Sequence, residues 1–179
     1  MSPLLKPLDI QVKAHDQCSA KLVLEPLERG FGHTLGYSLR RILLSSLPGS
    51  AVTELEIDGV EHEFCSIDGV LEDVINIVLN FKTLSLMSSV QEEVWVEFDF
   101  QGTQSITLKD FDLPPTVIIA NPDHHIATIT SDRRLAGRFL ISTGRGYVPA
   151  SVRKSQLELD GEGVKIHRIY LDASFSPID

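Results

Sequence analysis

The sequence predicts an α+β fold. Residues 1–49 with 164–179 would form a small sheet-plus-helix unit, and 50–163 a β-rich subdomain inserted into it. Three observations lead there. Within Glu25–Gly49 a glycine-rich turn, Gly30-Phe31-Gly32, leads into an amphipathic helix that stops at Pro48-Gly49. Both ends of the chain alternate apolar and polar residues with period two, the pattern of half-buried strands. Between Thr83 and Tyr147 short strand patterns and turn residues follow one another closely, as in an antiparallel, partly open sheet.

In chain order, Leu8, Ile10, Val12 and Ala14 alternate with Asp9, Gln11, Lys13 and His15, and Ala20–Glu25 follows as an antiparallel partner. Pro26, lacking an N–H, ends that ladder. In the helix, at about 100° per residue, Leu35, Leu39, Ile42, Leu43 and Leu47 share one arc. Tyr37, Arg41 and Leu44 cluster on another side, with Ser38 and Ser45 beside them. Aromatic residues and arginine are enriched at protein interfaces. A second contact and a cover over another part of the same domain both fit that cluster. Period two returns at Thr53, Leu55 and Ile57, set against Glu54, Glu56 and Asp58, before an Asp58-Gly59 turn. Asp68 is the expected N-cap of a second helix running to about Lys82. Val70, Leu71, Val74, Ile75, Ile77, Val78 and Phe81 form its apolar face, with Asn76 and Asn80 opposite. Strands are then expected at Val94–Phe100, Ser105–Leu108, Val117–Ala120, Ile126–Thr130 and Leu135–Ser142. Residues 155–163 read as an acidic surface loop, and Val164–Ser174 as the last strand.

At 179 residues the chain supports one good-sized domain or two small ones, and its 42% hydrophobic content is enough for a core. A net charge of −9 with scattered basic residues argues against a general nucleic-acid surface. No apolar run approaches the ~20 residues of a membrane span, and the N-terminus has no secretory pattern. Cys18 and Cys65 form no CxxC or metal spacing, which suits a reducing cytoplasm.

Two motifs invite a chemical reading. Gly30-x-Gly32-x-x-x-Gly36 lies between a strand and a helix, the setting of a dinucleotide fingerprint, with Asp58 near the place of a ribose-binding acid. Its spacing is off by one, Pro26–Arg29 separate it from the strand, and no βα alternation follows. Asp123-His124-His125 is similar to the acid-histidine motif of DHH-type phosphoesterases, but metal sites need ligands from several elements, and a polar turn explains it as well. No nucleophile elbow, Cys–His pair or P-loop is visible in the sequence. No cofactor, metal or catalytic residue is therefore expected, and the expected product of the fold is a surface for other proteins.

EPLERGFGHTLG followed by LRRILLSS and PG resembles the first helix of the amino-terminal domain of the bacterial RNA polymerase alpha subunit. Further segments match in order: VTELEIDGVEHEF (52–64), GVLEDVINIVLNFK (69–82), GRGYVPAS (144–151) and LDASFSP (171–177). The resemblance is weakest across 83–140. It implies a non-catalytic assembly scaffold within a nucleotidyltransferase complex, DNA-directed RNA polymerase, in the cytoplasm. It further implies a homodimer interface at Phe31, Leu35, Leu39, Ile42, Leu43 and Leu47. Contacts with the large beta and beta-prime subunits are implied at Arg41, Leu44 and Lys82, and GRGYVPAS is placed near the joint between the two subdomains. Family members normally continue past the point matching Pro177 into more of the dimerisation unit, a long helix and a DNA-binding domain. The resemblance thus implies a fragment or a shortened alpha-type chain, with weakened dimerisation and no direct contact with nucleic acid or membrane. Tyr37 also stands where a small or amide side chain is expected. The alternative reading is an alpha-like adaptor or decoy that binds one polymerase subunit without supporting assembly.

Overall fold

The computed structural model describes residues 9–16, 19–89, 92–159 and 167–178. The chain divides into two units, Met1–Ile42 and Leu43–Asp179, with the division inside the first helix. In the first unit, β1 (Asp9–Ala14) and β2 (Ala20–Glu25) pair antiparallel, from Asp9 opposite Glu25 to Ala14 opposite Ala20. The backbone N–H of His15 donates to the Ser19 carbonyl at 2.9 Å and closes the turn. The expected strands are present, but they are not half-buried: Ile10 and Val12 are 63% and 67% exposed. Period-two alternation sorts side chains into two faces and does not by itself supply a cover for either. Gly30, at φ +92°, takes the left-handed turn that leads into α1 (Phe31–Ser46).

The second unit is organised on β3 (Pro48–Ile57), which follows α1 almost directly. After α2 (Val74–Lys82) come β4 (Leu86–Ser88), β5 (Val94–Gln101) and β6 (Gln104–Thr107). A 3-10 turn at Leu108–Asp110 precedes β7 (Val117–Ile119), β8 (His125–Ile129), β9 (Arg134–Arg145) and β10 (Tyr147–Val148). Last are α3 (Ala150–Leu159), β11 (Ile169–Tyr170) and β12 (Ala173–Ser174). The main sheet runs β5-β9-β3-β4-β7, with β11 also on β3, and every pairing in it is antiparallel. Beside it stand the pairs β6-β8 and β10-β12. This is an α+β fold, as the sequence predicts, and among the described residues it is mostly sheet with three helices.

The register of β3 contains an irregularity that the alternation does not reveal. Val52 and Leu55 both lie in the main core although they are three positions apart. An unbroken strand would put them on opposite faces. A bulge between Val52 and Glu54 absorbs the extra residue, Thr53, whose hydroxyl lies 2.9 Å from that of Ser142.

Packing of α2 on the sheet forms the centre of the core. Val74, Ile77 and Phe81, at helical spacing, are the buried residues of α2. Phe81 stands 5.0 Å from Phe139, centroid to centroid, and Phe111 meets Phe98 edge-on at 5.5 Å. Such offset and edge-to-face pairs add to the burial of the rings. Asn80 ties the far side of α2 to β8, its side-chain amide donating to the Ile126 carbonyl at 2.8 Å.

Three elements differ from expectation. The second helix begins at Val74 and not at Asp68, because Gly69 takes φ +84°, Val70 bridges to Ile129, and the Leu71 N–H donates to the Thr128 carbonyl. The lead-in is thus committed to the neighbouring strand before the helix can start. The stretch taken for a loop from 155 is helical to Leu159, within α3; its remainder, 160–163, lies outside the described residues. The single last strand is two short ones, β11 and β12, and 164–166 lie outside the described residues.

Replacing Phe139, fully buried at the crossing of α2 and β9, by alanine should cost about 3–5 kcal/mol, from lost transfer energy plus a residual cavity. Urea unfolding of Phe139→Ala checks this. A midpoint within error of the parent would show that the surrounding rings close the gap.

Candidate protein-interaction surface

Two kinds of surface feature stand out, a helix without a core and a set of charges that lock segments together. None of the sixteen residues of α1 is buried. Phe31, Leu39, Ile42 and Leu43 are exposed, and Leu35, Leu44 and Leu47 are partly covered. Five of the six expected interface residues therefore share one helix, along which Leu35, Leu39, Ile42 and Leu43 keep their common arc, and Leu47 follows just past its end. Arg41 and Tyr37 are exposed on the same helix, Tyr37 at 73%. Most of an ordinary surface helix's stability comes from packing an apolar face. Here the apolar side chains are present and the single chain leaves them largely uncovered.

Lys82 ends α2, and its ammonium lies 3.3 Å from the Asp172 carboxylate. Asp172 is a junction that sequence reasoning missed. It accepts from the Ala150 backbone N–H at 2.9 Å, at the start of α3, and also from the Tyr147 hydroxyl. The Ala150 N–H, followed by Tyr147 and Lys82, holds its carboxyl below the usual aspartate range. The same bond raises the Tyr147 hydroxyl. A carboxylate at that position also suits the positive end of the helix. Three of the quoted segments, GVLEDVINIVLNFK, GRGYVPAS and LDASFSP, thus converge on one side chain. The signal was an aspartate set between apolar residues; its partners lie 22 and 90 positions away.

A second set of charges lies on β3. Glu54 is 1% exposed, yet two arginines neutralise it: Arg153 of α3, at 3.0 Å, and Arg168, just before β11. Arg168 also donates to Glu56 at 2.6 Å, and Arg138 of β9 closes on the other oxygen of Glu56. The guanidinium groups of Arg138 and Arg168 lie 4.8 and 4.7 Å from the centroid of the Trp95 ring, each a cation–π contact. Burial works to raise the carboxyl of Glu56, but the hydrogen bonds and charges of Arg138 and Arg168 prevail and hold it low. Close packing completes this side. A Cβ on Gly49 would lie 1.9 Å from the Phe175 carbonyl oxygen, and one on Gly144 would lie 2.7 Å from the Phe175 ring.

The Asp123-His124-His125 motif does not converge. Asp123 pairs with Lys109 at 3.0 Å, and the His124 ring lies 3.2 Å from the Asn80 carbonyl. His125 turns to Glu72 at 2.7 Å. Among the described residues no group of three or more His, Cys, Asp or Glu is placed to hold a metal. Gly30, Gly32 and Gly36 precede no parallel sheet among those residues. Cys65 is a free thiol, 3.3 Å from the His62 ring, and Cys18 lies outside the described residues. No helix among them is long and apolar enough to cross a membrane.

Against family models, residues 55–176 match the one described as RNA polymerase Rpb3/RpoA insert domain. The match takes in Lys82, Asp172 and the charges on Glu56.

The carboxylates set a pH dependence. Glu56 and Glu72 both have folded-state values lowered from 4.5. A depressed value stabilises the fold above the unfolded value, and that stability is lost as pH falls through the folded one. Stability should hold from neutral pH to about 5 and fall below about 4.5. Glu56→Gln should flatten part of that acid limb in urea unfolding followed across pH. An unchanged limb would show that Glu56 does not contribute to it.

Proposed function

This chain belongs to the RNA polymerase Rpb3/RpoA insert-domain family, an alpha-type RNA polymerase subunit, and from that membership we propose that it acts as the assembly scaffold of the enzyme. In this reading it dimerises through Phe31, Leu35, Leu39, Ile42, Leu43 and Leu47, and meets the beta and beta-prime subunits through Arg41, Leu44 and Lys82. Residues 1–49 with 164–179 make up the assembly subdomain, and 50–163 the inserted one. It contributes no catalytic residue to nucleotidyl transfer, works in the cytoplasm and leaves contact with DNA to other parts of the complex.

The observation that carries this reading is α1, a sixteen-residue helix with no buried residue and a row of exposed large apolar side chains. Large exposed apolar patches mark interaction sites. The exposed Ile10, Val12 and Leu22 of the β1–β2 hairpin add further uncovered apolar surface in the first unit. Symmetric pairing of one patch with itself is the commonest way such a surface is satisfied.

Two substitutions test the two halves of the proposal. Ile42→Glu, on the apolar arc, should shift the chain from dimer to monomer in sedimentation velocity while its circular dichroism stays that of the parent. A parent chain that remains monomeric at high concentration would refute dimerisation through α1. Arg41→Ala should change stability by less than about 1 kcal/mol, as surface changes do, and should weaken co-purification with the beta subunit. Equal recovery of beta by both proteins would remove Arg41 from the contact.

A further inference from the structure

Three side chains that the assembly role leaves unused stand in line on the β6–β8 pair and the lead-in to α2. Glu72 accepts from the Thr128 backbone N–H at 2.6 Å, from the Thr128 hydroxyl at 3.1 Å and from His125 Nε2 at 2.7 Å. On the other side of the same ring, Ser105 Oγ lies 3.3 Å from His125 Nδ1. Burial works to raise the Glu72 carboxyl, but the hydrogen bonds from His125 and Thr128 outweigh it and keep it ionised. A carboxylate can only accept, so Nε2 carries a proton, and in the neutral imidazole Nδ1 then presents its lone pair to the Ser105 hydroxyl. The order is orienting acid, base, nucleophile, as in serine hydrolases. Thr128 already fastens Glu72 to β8 through two bonds, so the fold does not need the Ser105 hydroxyl for that link. Ser105 is exposed and the His125 side chain is 44% exposed, so both are open to a reagent from solvent.

We propose that Glu72, His125 and Ser105 form a nucleophilic triad that makes Ser105 an acceptor for activated acyl groups. The exposed setting defines the donor class. A tetrahedral oxyanion formed there is stabilised mainly by water, so the donor must carry a leaving group that departs as a stable anion, as in acyl phosphates and aryl esters. Ser105 Oγ forms a bond to the acyl carbon while its proton passes to Nδ1. The carbonyl electron pair moves to oxygen and returns, expelling phosphate or aryloxide with its bonding pair. The imidazolium then gives its proton to the departing anion or to water. The products are an ester on Ser105 and the free leaving group, with no change in oxidation state.

The test is acylation of the full chain by p-nitrophenyl acetate, followed by peptide mass spectrometry. Ser105 should label about a hundredfold faster than the exposed Ser38 and Ser155, the lower range of general-base assistance. His125→Gln should remove that advantage, and Glu72→Gln should reduce it. A ratio under about tenfold, or full labelling of Ser105 in His125→Gln, overturns the proposal. So does an unchanged p-nitrophenolate burst in Ser105→Ala, which would make another side chain the acceptor. If a substitution unfolds the protein, the parent chain decides by its pH profile. Labelling of Ser105 should rise with deprotonation of one histidine and then level off, whereas a rise that continues to about pH 9 is that of an unassisted hydroxyl and overturns the proposal.

Discussion

Glu54 is a carboxylate in the middle of a sheet with almost no access to water, and the second unit depends on its being neutralised. Removing an ionised group from water costs several kcal/mol, repaid only by close, well-aligned partners. Arg153 comes from α3 and Arg168 from the approach to β11, so two separate segments must be in place before Glu54 can be buried. Arg168 extends the network to Glu56, Arg138 and the face of Trp95, which joins β3, β5 and β9 to the same group of charges. Apolar packing brings α2 and the strands into one core. The ion network decides where the later segments are seated, because hydrophobic burial has no direction and paired charges do.

The first unit presents the reverse situation. Its strands pair and its helix is regular, yet its large apolar side chains face outward. Backbone hydrogen bonding alone leaves a two-stranded hairpin marginal in water. Helices likewise rely on a buried face. A subunit of a multi-subunit enzyme is a natural setting for such a unit, since a neighbour can cover apolar surface that the chain leaves open. The proposed triad of Glu72, Ser105 and His125 lies in the second unit, which holds the main core.

Much of this was legible in the sequence because it is local. The Gly30 turn and Pro48-Gly49 bracket α1 closely, and the alternation of Val94 to Phe100 marks β5. What could not be read depends on partners far along the chain. Asp68 has the chemistry of an N-cap, but the neighbouring strand takes up the residues after it. Residues 155–159 have the polarity of a loop, yet the helix they complete is held by Asp172 at its start and by Arg153 on Glu54. Ile10 and Val12 follow a strand pattern faithfully, and the pattern is silent about whether anything lies over them. For the interaction surface, the sequence showed which residues share a side of α1, while the junction at Asp172 and the alignment of Ser105 with His125 required the fold.

The bulge at Thr53 bears on how this chain can change length. Most single-residue deletions in a central strand turn every following side chain to the wrong face. Here the strand already carries one residue more than its partner requires. Losing Thr53 would leave Val52 and Leu55 still facing the core and Ala51 and Glu54 still facing away from it. The loss would fall on the hydroxyl's hydrogen bonds to Ser142 and to the Leu140 carbonyl, and on the carbonyl that receives the Leu171 N–H. Elsewhere along β3 a gap would be ruinous. In an alignment of related chains, Thr53 is therefore where this strand can lose a residue without exchanging its inside for its outside.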